Sequence, residues 1–221
     1  MEISVQGTYE TSLRPEVGRL HASATAEAGS KDEVLRRVTR VVTEFSAALK
    51  ALQAADPAPL RDVVVRPITT SSWRPVDKGR MQPAIFTANA TVQADFVDFT
   101  ALADISAQFG GTDGLNLDQV EWRLTDETRR RVEGECVTHA VHAARERAEV
   151  MARAAGAGEV RCVQLADPGL LTAGGGEREA MWAAGRGARS LKAMDSGVQG
   201  IEIAPEDIVI AVSVQARYTA E

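Results

Sequence analysis

Long apolar runs are missing from this chain. No window approaches the ~20 apolar residues that a membrane-spanning helix needs, so no part of the 221 residues is expected to cross a bilayer. Cysteine is nearly absent. Cys136 and Cys162 are too few for a disulfide framework and read as small buried hydrophobes, with a pairing between the two left open. Aromatic residues make up only 5% of the chain, so alanine and valine must supply much of the core. Such side chains each bury little area, and stability has to come from extended sheet and helix packing. Positive charge is not in excess either, the formal balance being −6. The cluster Arg129-Arg130-Arg131 is diluted by Asp126, Glu127, Glu133 and Glu135. It reads as a solvated helix face, and nucleic acid is not an expected partner. The opening Met-Glu-Ile-Ser-Val-Gln-Gly runs straight into a strand pattern with no basic segment or signal-length apolar run, so the expected location is the cytoplasm.

Reactive motifs are also missing. Gly174-Gly175-Gly176 is not followed by the Gly-Lys-Ser/Thr of a phosphate loop. Asp113-Gly114-Leu115-Asn116-Leu117-Asp118 lacks the spacing and terminal glutamate of a calcium loop and reads as a turn entering a strand. No Gly-x-Ser-x-Gly elbow occurs. No catalytic residue and no cofactor are expected on these grounds. One constellation approaches a metal site: Cys136-x-x-His139-x-x-His142, with Glu135 and Glu146 nearby. Residues at i and i+3 share a helix face, so His139 could cooperate with either neighbour. Across i to i+6 the directions fan apart by about 120°, at ~100° per residue, and three ligands converge poorly on one ion. Zinc would need ligands from elsewhere, and His21 is the one remaining histidine. Surface histidines on a helix are the simpler reading.

Patterning is abundant by contrast. Ile3–Tyr9 and Leu20–Glu27 read as strands, the second alternating Leu20, Ala22, Ala24 and Ala26 with polar residues. Ser30 or Asp32 can cap a helix carrying Val34, Leu35, Val38, Val41, Val42, Phe45, Leu49 and Leu52, ended by Asp56-Pro57. Val63–Ser71 is strand-like, Arg74–Gly79 carries turn chemistry, and Ala84–Phe96 alternates cleanly. Asp98–Phe109 reads as a short helix with Phe99, Leu102, Ile105 and Phe109 inward, stopped by Gly110-Gly111. Val120–Thr125 is a strand and Asp126–Gly156 a long alanine-rich helix. Its narrow stripe is Val132, Cys136, Ala140, Ala144, Ala148, Met151 and Ala155. Strands at Val160–Leu165 and Ile208–Tyr218 close the chain, the latter with Ile208, Ile210, Val212, Val214, Ala216 and Tyr218 on one face.

The segment 167–200 stands apart as a long, flexible, glycine-rich insertion with eight glycines. Its Met181, Trp182, Leu191 and Met194 are candidate partner-binding residues, because large side chains in such a segment can anchor a docking contact. The same segment could serve as a lid in a small-molecule or metal-binding module built on the Cys136/His139/His142 helix.

The resulting class is α+β: mostly antiparallel sheet, covered by two long helices and one short helix, in the order β-β-α-β-β-α-β-α-β-β. Several pieces in that order resemble the SIMPL-domain family, a widespread bacterial group of largely unassigned function. They are Val5-Gln6-Gly7, the strand Phe86–Val92, the junction Val120-Glu121-Trp122-Arg123-Leu124-Thr125-Asp126, the run Ala140–Gly158, and Ile203-Ala204-Pro205-Glu206-Asp207-Ile208. The resemblance implies a single SIMPL-like domain over 1–221, made of two related, intertwined halves at roughly 1–97 and 98–221, and self-assembly in some members. It carries over no catalytic residue. Many look-alikes carry an export signal, which this chain as written lacks. The function expected is that of a non-enzymatic scaffold or interaction protein that forms a homo-oligomer, with a further protein partner possible.

Overall fold

The computed structural model describes residues 1–171 and 204–221. Its elements run β1 (Glu2–Leu13), β2 (Val17–Ala28), α1 (Lys31–Gln53), β3 (Leu60–Val65), β4 (Thr69–Trp73), β5 (Val76–Asp77), β6 (Arg80–Met81) and β7 (Ile85–Phe96). Then come α2 (Phe99–Phe109), β8 (Leu115–Arg123), α3 (Asp126–Ala154), β9 (Val160–Ala166) and β10 (Ile208–Ala220). Among the described residues, every strand pairing is antiparallel. The α+β class and the order of the principal elements are those expected from the sequence.

Two compact units emerge, and they interleave along the chain. A central unit holds residues 14–124 and 204–206, and a terminal unit holds 1–13, 125–171 and 207–221, among the described residues. In the central unit the sheet order is β3-β7-β2-β8, with β4 also pairing to β7. The expected strand at Val63–Ser71 is split into β3 and β4. Pro67 lies at the break, where a missing N–H and fixed φ interrupt a ladder. Both pieces line one edge of β7, with Arg66 N–H bonding the Thr91 carbonyl between them at 2.9 Å. β5 and β6 form a small ribbon closed by Lys78 and Gly79, both at positive φ (47° and 77°), the two-residue turn that suits strand twist.

Alternation decides which face of this sheet is dry. Leu20, Ala22 and Ala24 of β2 and Ala88, Ala90, Val92, Ala94 and Phe96 of β7 are buried against α1 and α2. From α1 come Val34, Val38, Val41, Val42, Phe45 and Leu49, the apolar stripe read from its spacing. α2 contributes Leu102 and Ile105, and its N-cap Asp98 accepts a hydrogen bond from Thr100 N–H at 2.8 Å. Phe45 meets Phe109 edge to face, and Phe99 meets Trp122 likewise.

The terminal unit is a three-stranded sheet, β1-β10-β9, with α3 packed on β1 and β10. Its first and last strands pair over their full lengths, Glu2 opposite Thr219 through Leu13 opposite Ile208. β1 and β2, adjacent in sequence, therefore belong to different sheets. The core is Ile3, Val5, Val214, Ala216, Tyr218 and Ala220 beneath Ala140, Ala144, Ala148 and Ala152. One detail of the expected helix stripe changes. It continues to Ala152, while Met151 and Ala155 are exposed, because the buried row keeps a strict four-residue step along the helix. The small side chains allow very close approach. A Cβ placed on Gly7 would stand 2.0 Å from the Ala140 carbonyl oxygen and 2.6 Å from Ala144 N, so strand and helix backbones nearly touch there.

Candidate functional site

The histidine helix is α3, begun by Thr125, whose hydroxyl accepts from Thr128 N–H at 3.3 Å. The structure separates the three sequence candidates. Cys136 lies on the buried row at 0% exposure, whereas His139 and His142 are exposed. His139 stacks on Tyr9 of β1, with centroids 4.4 Å apart and planes 22° from parallel. Burial, with Glu135 and Glu133 nearby, pushes the Cys136 thiol up from its ordinary value. A thiol buried at 0% exposure does not share a coordination centre with two exposed imidazoles. Among the described residues no group of three or more His, Cys, Asp or Glu side chains is placed to hold a metal ion. Cys162, exposed on β9, and Cys136 are both free thiols. Met181, Trp182, Leu191 and Met194 lie outside the described residues.

The polar face of the central sheet, expected from the alternation in β2, carries side-chain pairings that the sequence did not reveal. Arg19 makes two bonds to Asp95, at 2.6 and 2.7 Å, and this pairing raises the arginine's already high pKa further. His21 lies between Glu121 (3.4 Å) and Gln93 (3.3 Å), Ser23 donates to Asp118, Asn89 donates to Thr25, and Thr87 donates to Glu27. Each outward residue of β2 thus has a partner one strand away. This is how a solvated face stitches strands together, each pair being worth roughly 0.2–1 kcal/mol. Period-2 alternation located the face, but partner identity depends on register, which no local signal carries.

In the terminal unit the conspicuous geometry is at the sheet's rim. Met1 and Ala220 exchange both backbone bonds, Met1 N to Ala220 O at 2.6 Å and Ala220 N to Met1 O at 2.8 Å. Antiparallel pairs alternate, so the odd residues of β1 bond β10 and the even ones aim their N–H and C=O groups away from the sheet. Glu2, Ser4, Gln6, Thr8, Glu10 and Ser12 present that row, and all six are exposed. Their side chains lie on the face opposite α3, where Glu2 pairs with Arg217 at 2.8 Å and Gln6 donates to Ser213 at 2.6 Å. On the α3 side, Tyr9 and His139 form an aromatic step at the same edge. The other flank of the helix faces β9. There Arg145 is bonded to Glu149 at 2.9 Å and kept above its usual value mainly by that bond. The Tyr218 hydroxyl beneath is pushed up, chiefly by burial.

A family model described as SIMPL, protein of unknown function (DUF541), matches residues 3–218. The chain belongs to the SIMPL family. The matched span of this SIMPL chain runs from Ile3 in β1 to Tyr218 in β10, the two residues that face each other across the terminal sheet. No curated protein matches the chain. No helix among the described residues is long and apolar enough to cross a membrane.

Proposed function

We propose that this SIMPL protein is a non-enzymatic scaffold or interaction protein that works by associating with copies of itself through open strand edges. The observation that carries the reading is the outward row of β1. Six consecutive even residues offer backbone donors and acceptors that no described residue uses, and an unsatisfied strand edge is a template for another strand. Among the described residues, much of the polar chemistry of the central sheet is engaged within that sheet. Arg19, His21, Ser23 and Glu27 are tied to neighbouring strands, and Cys136 is sealed under α3. These are structural roles for the residue types that catalysis would otherwise recruit.

Size-exclusion chromatography with light scattering over a hundredfold range of concentration tests the proposal. The expected result is a mass that is a multiple of the 23.6 kDa chain and falls on dilution. A strict monomer at the highest concentration overturns it.

A further inference from the structure

Among the described residues, four strand edges bound the two main sheets, and three carry devices that discourage pairing. β9 has seven residues and breaks register against β10 between Arg217 and Tyr218. β8 carries a register shift opposite His21 and Ala22, and Asp118 and Glu121 stand along it. The β3–β4 edge is shifted between Leu60 and Asp62 and interrupted at Pro67. Bulges, charges, short length and proline are the means by which proteins blunt an edge. β1 has none of them in its middle. It keeps one register over twelve residues, contains no proline, and places charge only at Glu2 and Glu10.

From this asymmetry we infer that β1 is the assembly edge, pairing antiparallel with β1 of a second copy about a two-fold axis at Gly7. The inference rests on the self-association reading and names its surface. Only even residues have outward backbone groups, so they must face even residues across the axis. Centring on Gly7 sets Gln6 against Thr8, Ser4 against Glu10 and Glu2 against Ser12 of the second copy. On the helix side, Val5 then meets Tyr9 and glycine meets glycine. Moving the axis to Gln6 would oppose Glu2 and Glu10 at both ends, a like-charge pairing that disfavours that register.

The helix layer accommodates the same axis. α3 packs on both β1 and β10, so an axis lying over the gap between them would be about two strand spacings, roughly 9.6 Å, from its symmetry mate. Helices pack at about 8–10 Å. His139 marks the flank of α3 that faces the β1 edge, by its stack on Tyr9. A four-residue step puts Ala143 and Arg147 on the same flank. Ala143 lies level with Gly7, which approaches Ala140 and Ala144, so the smallest side chain of the row falls where two antiparallel α3 helices come closest. The product is a closed two-fold dimer: a continuous six-stranded sheet with two helices on one face. Isologous closure of this kind consumes the edge instead of propagating it. Eleven strand residues and the helix flank approach the roughly 20 residues per side of a standard interface.

The test uses the full chain and two independent variants. Thr8→Pro removes one outward N–H and leaves the β1–β10 ladder intact, since Thr8 makes no ladder bond. Ala143→Arg favours helix and places bulk and like charge at the crossing. Each is expected to weaken dimerisation at least tenfold by light scattering, with far-ultraviolet circular dichroism unchanged. Leu165→Pro on β9 is expected to leave the dimer intact. Amide hydrogen exchange adds a direct readout: Ser4, Gln6, Thr8 and Glu10 should be protected in concentrated wild type and exchange quickly on dilution. If wild type assembles but both β1-side variants assemble equally well, or Leu165→Pro is the one that dissociates it, the β1 assignment is overturned while self-association stands. If wild type never assembles, both fall.

Discussion

The two units solve the same packing problem with opposite materials. In the central unit, helices stand off the sheet on large side chains: Phe45, Leu49, Leu60, Phe96 and Leu102 are all essentially fully buried. In the terminal unit, α3 lies down on the sheet because Ala140 and Ala144 meet Gly7 with nothing between, and Ala148 and Ala152 continue the same small-residue row over the core. Buried area per side chain is small there, and what holds the layer is backbone proximity and dense dispersion contact. A core built from large groups should be harmed by taking atoms away. A core built on contact between backbones should be harmed by adding them.

The largest expected effect follows from that asymmetry. Gly7→Ala sets a methyl carbon 2.0 Å from a main-chain oxygen that cannot rotate aside, so α3 must lift off β1. We expect a loss of about 4 kcal/mol, at the extreme of single substitutions, with amide protection lost first in the terminal unit. Gly18 is the matched control. A Cβ there would meet Trp122 and Leu102 side-chain atoms at 2.9 and 3.0 Å, and side chains can yield. Gly18→Ala should cost about 1 kcal/mol. Equal costs for the two variants in denaturant titrations would erase the distinction drawn between the units.

Removal of atoms should reverse the ranking. Phe45→Ala empties the space between α1 and the central sheet and is expected to cost about 3–4 kcal/mol. Ala148→Gly in the terminal unit removes one methyl and should cost only about 1 kcal/mol, mostly through helix propensity. Hydrogen exchange resolved by unit would check both, and a Phe45→Ala cost under about 1.5 kcal/mol would contradict the account of the central core.

How far these features could be read in advance differs between the units for the same physical reason. Alternation in Leu20–Ala26 and Ala84–Phe96 and the 3.6-residue spacing from Val34 to Leu52 are local signals, and they marked the dry faces of β2, β7 and α1. The terminal unit depends on joining Glu2–Leu13 to Ile208–Ala220, a pairing across almost the whole chain that no local pattern encodes. Its helix stripe was legible to Ala148 and then misplaced to Met151. Period alone does not reveal that the contact line follows the four-residue row to Ala152. For Cys136, His139 and His142 the angular spacing already implied divergence, and the burial pattern agrees with it. The Tyr9–His139 stack and the unblunted β1 edge were invisible, because both depend on register.

The smallest effect expected concerns pH, and it belongs to the terminal unit. Cys136 and Tyr218 are both held above their ordinary values of 9.0 and 10.0, each chiefly by burial. For an acidic group whose folded-state pKa is raised, the native state binds the proton more tightly than the unfolded chain. The stabilisation is therefore complete below the unfolded pKa and is lost as pH rises above it. Denaturation midpoints should stay level up to about pH 9 and then decline, Cys136 contributing first and Tyr218 from about pH 10. Cys136→Ala should flatten the earlier part of that decline. Below pH 9 a thiol reagent should modify Cys162 quickly and Cys136 only on unfolding, since one is exposed on β9 and the other sealed under α3. Rapid modification of both thiols in the native protein would mean that α3 does not lie against its sheet as closely as Gly7 indicates.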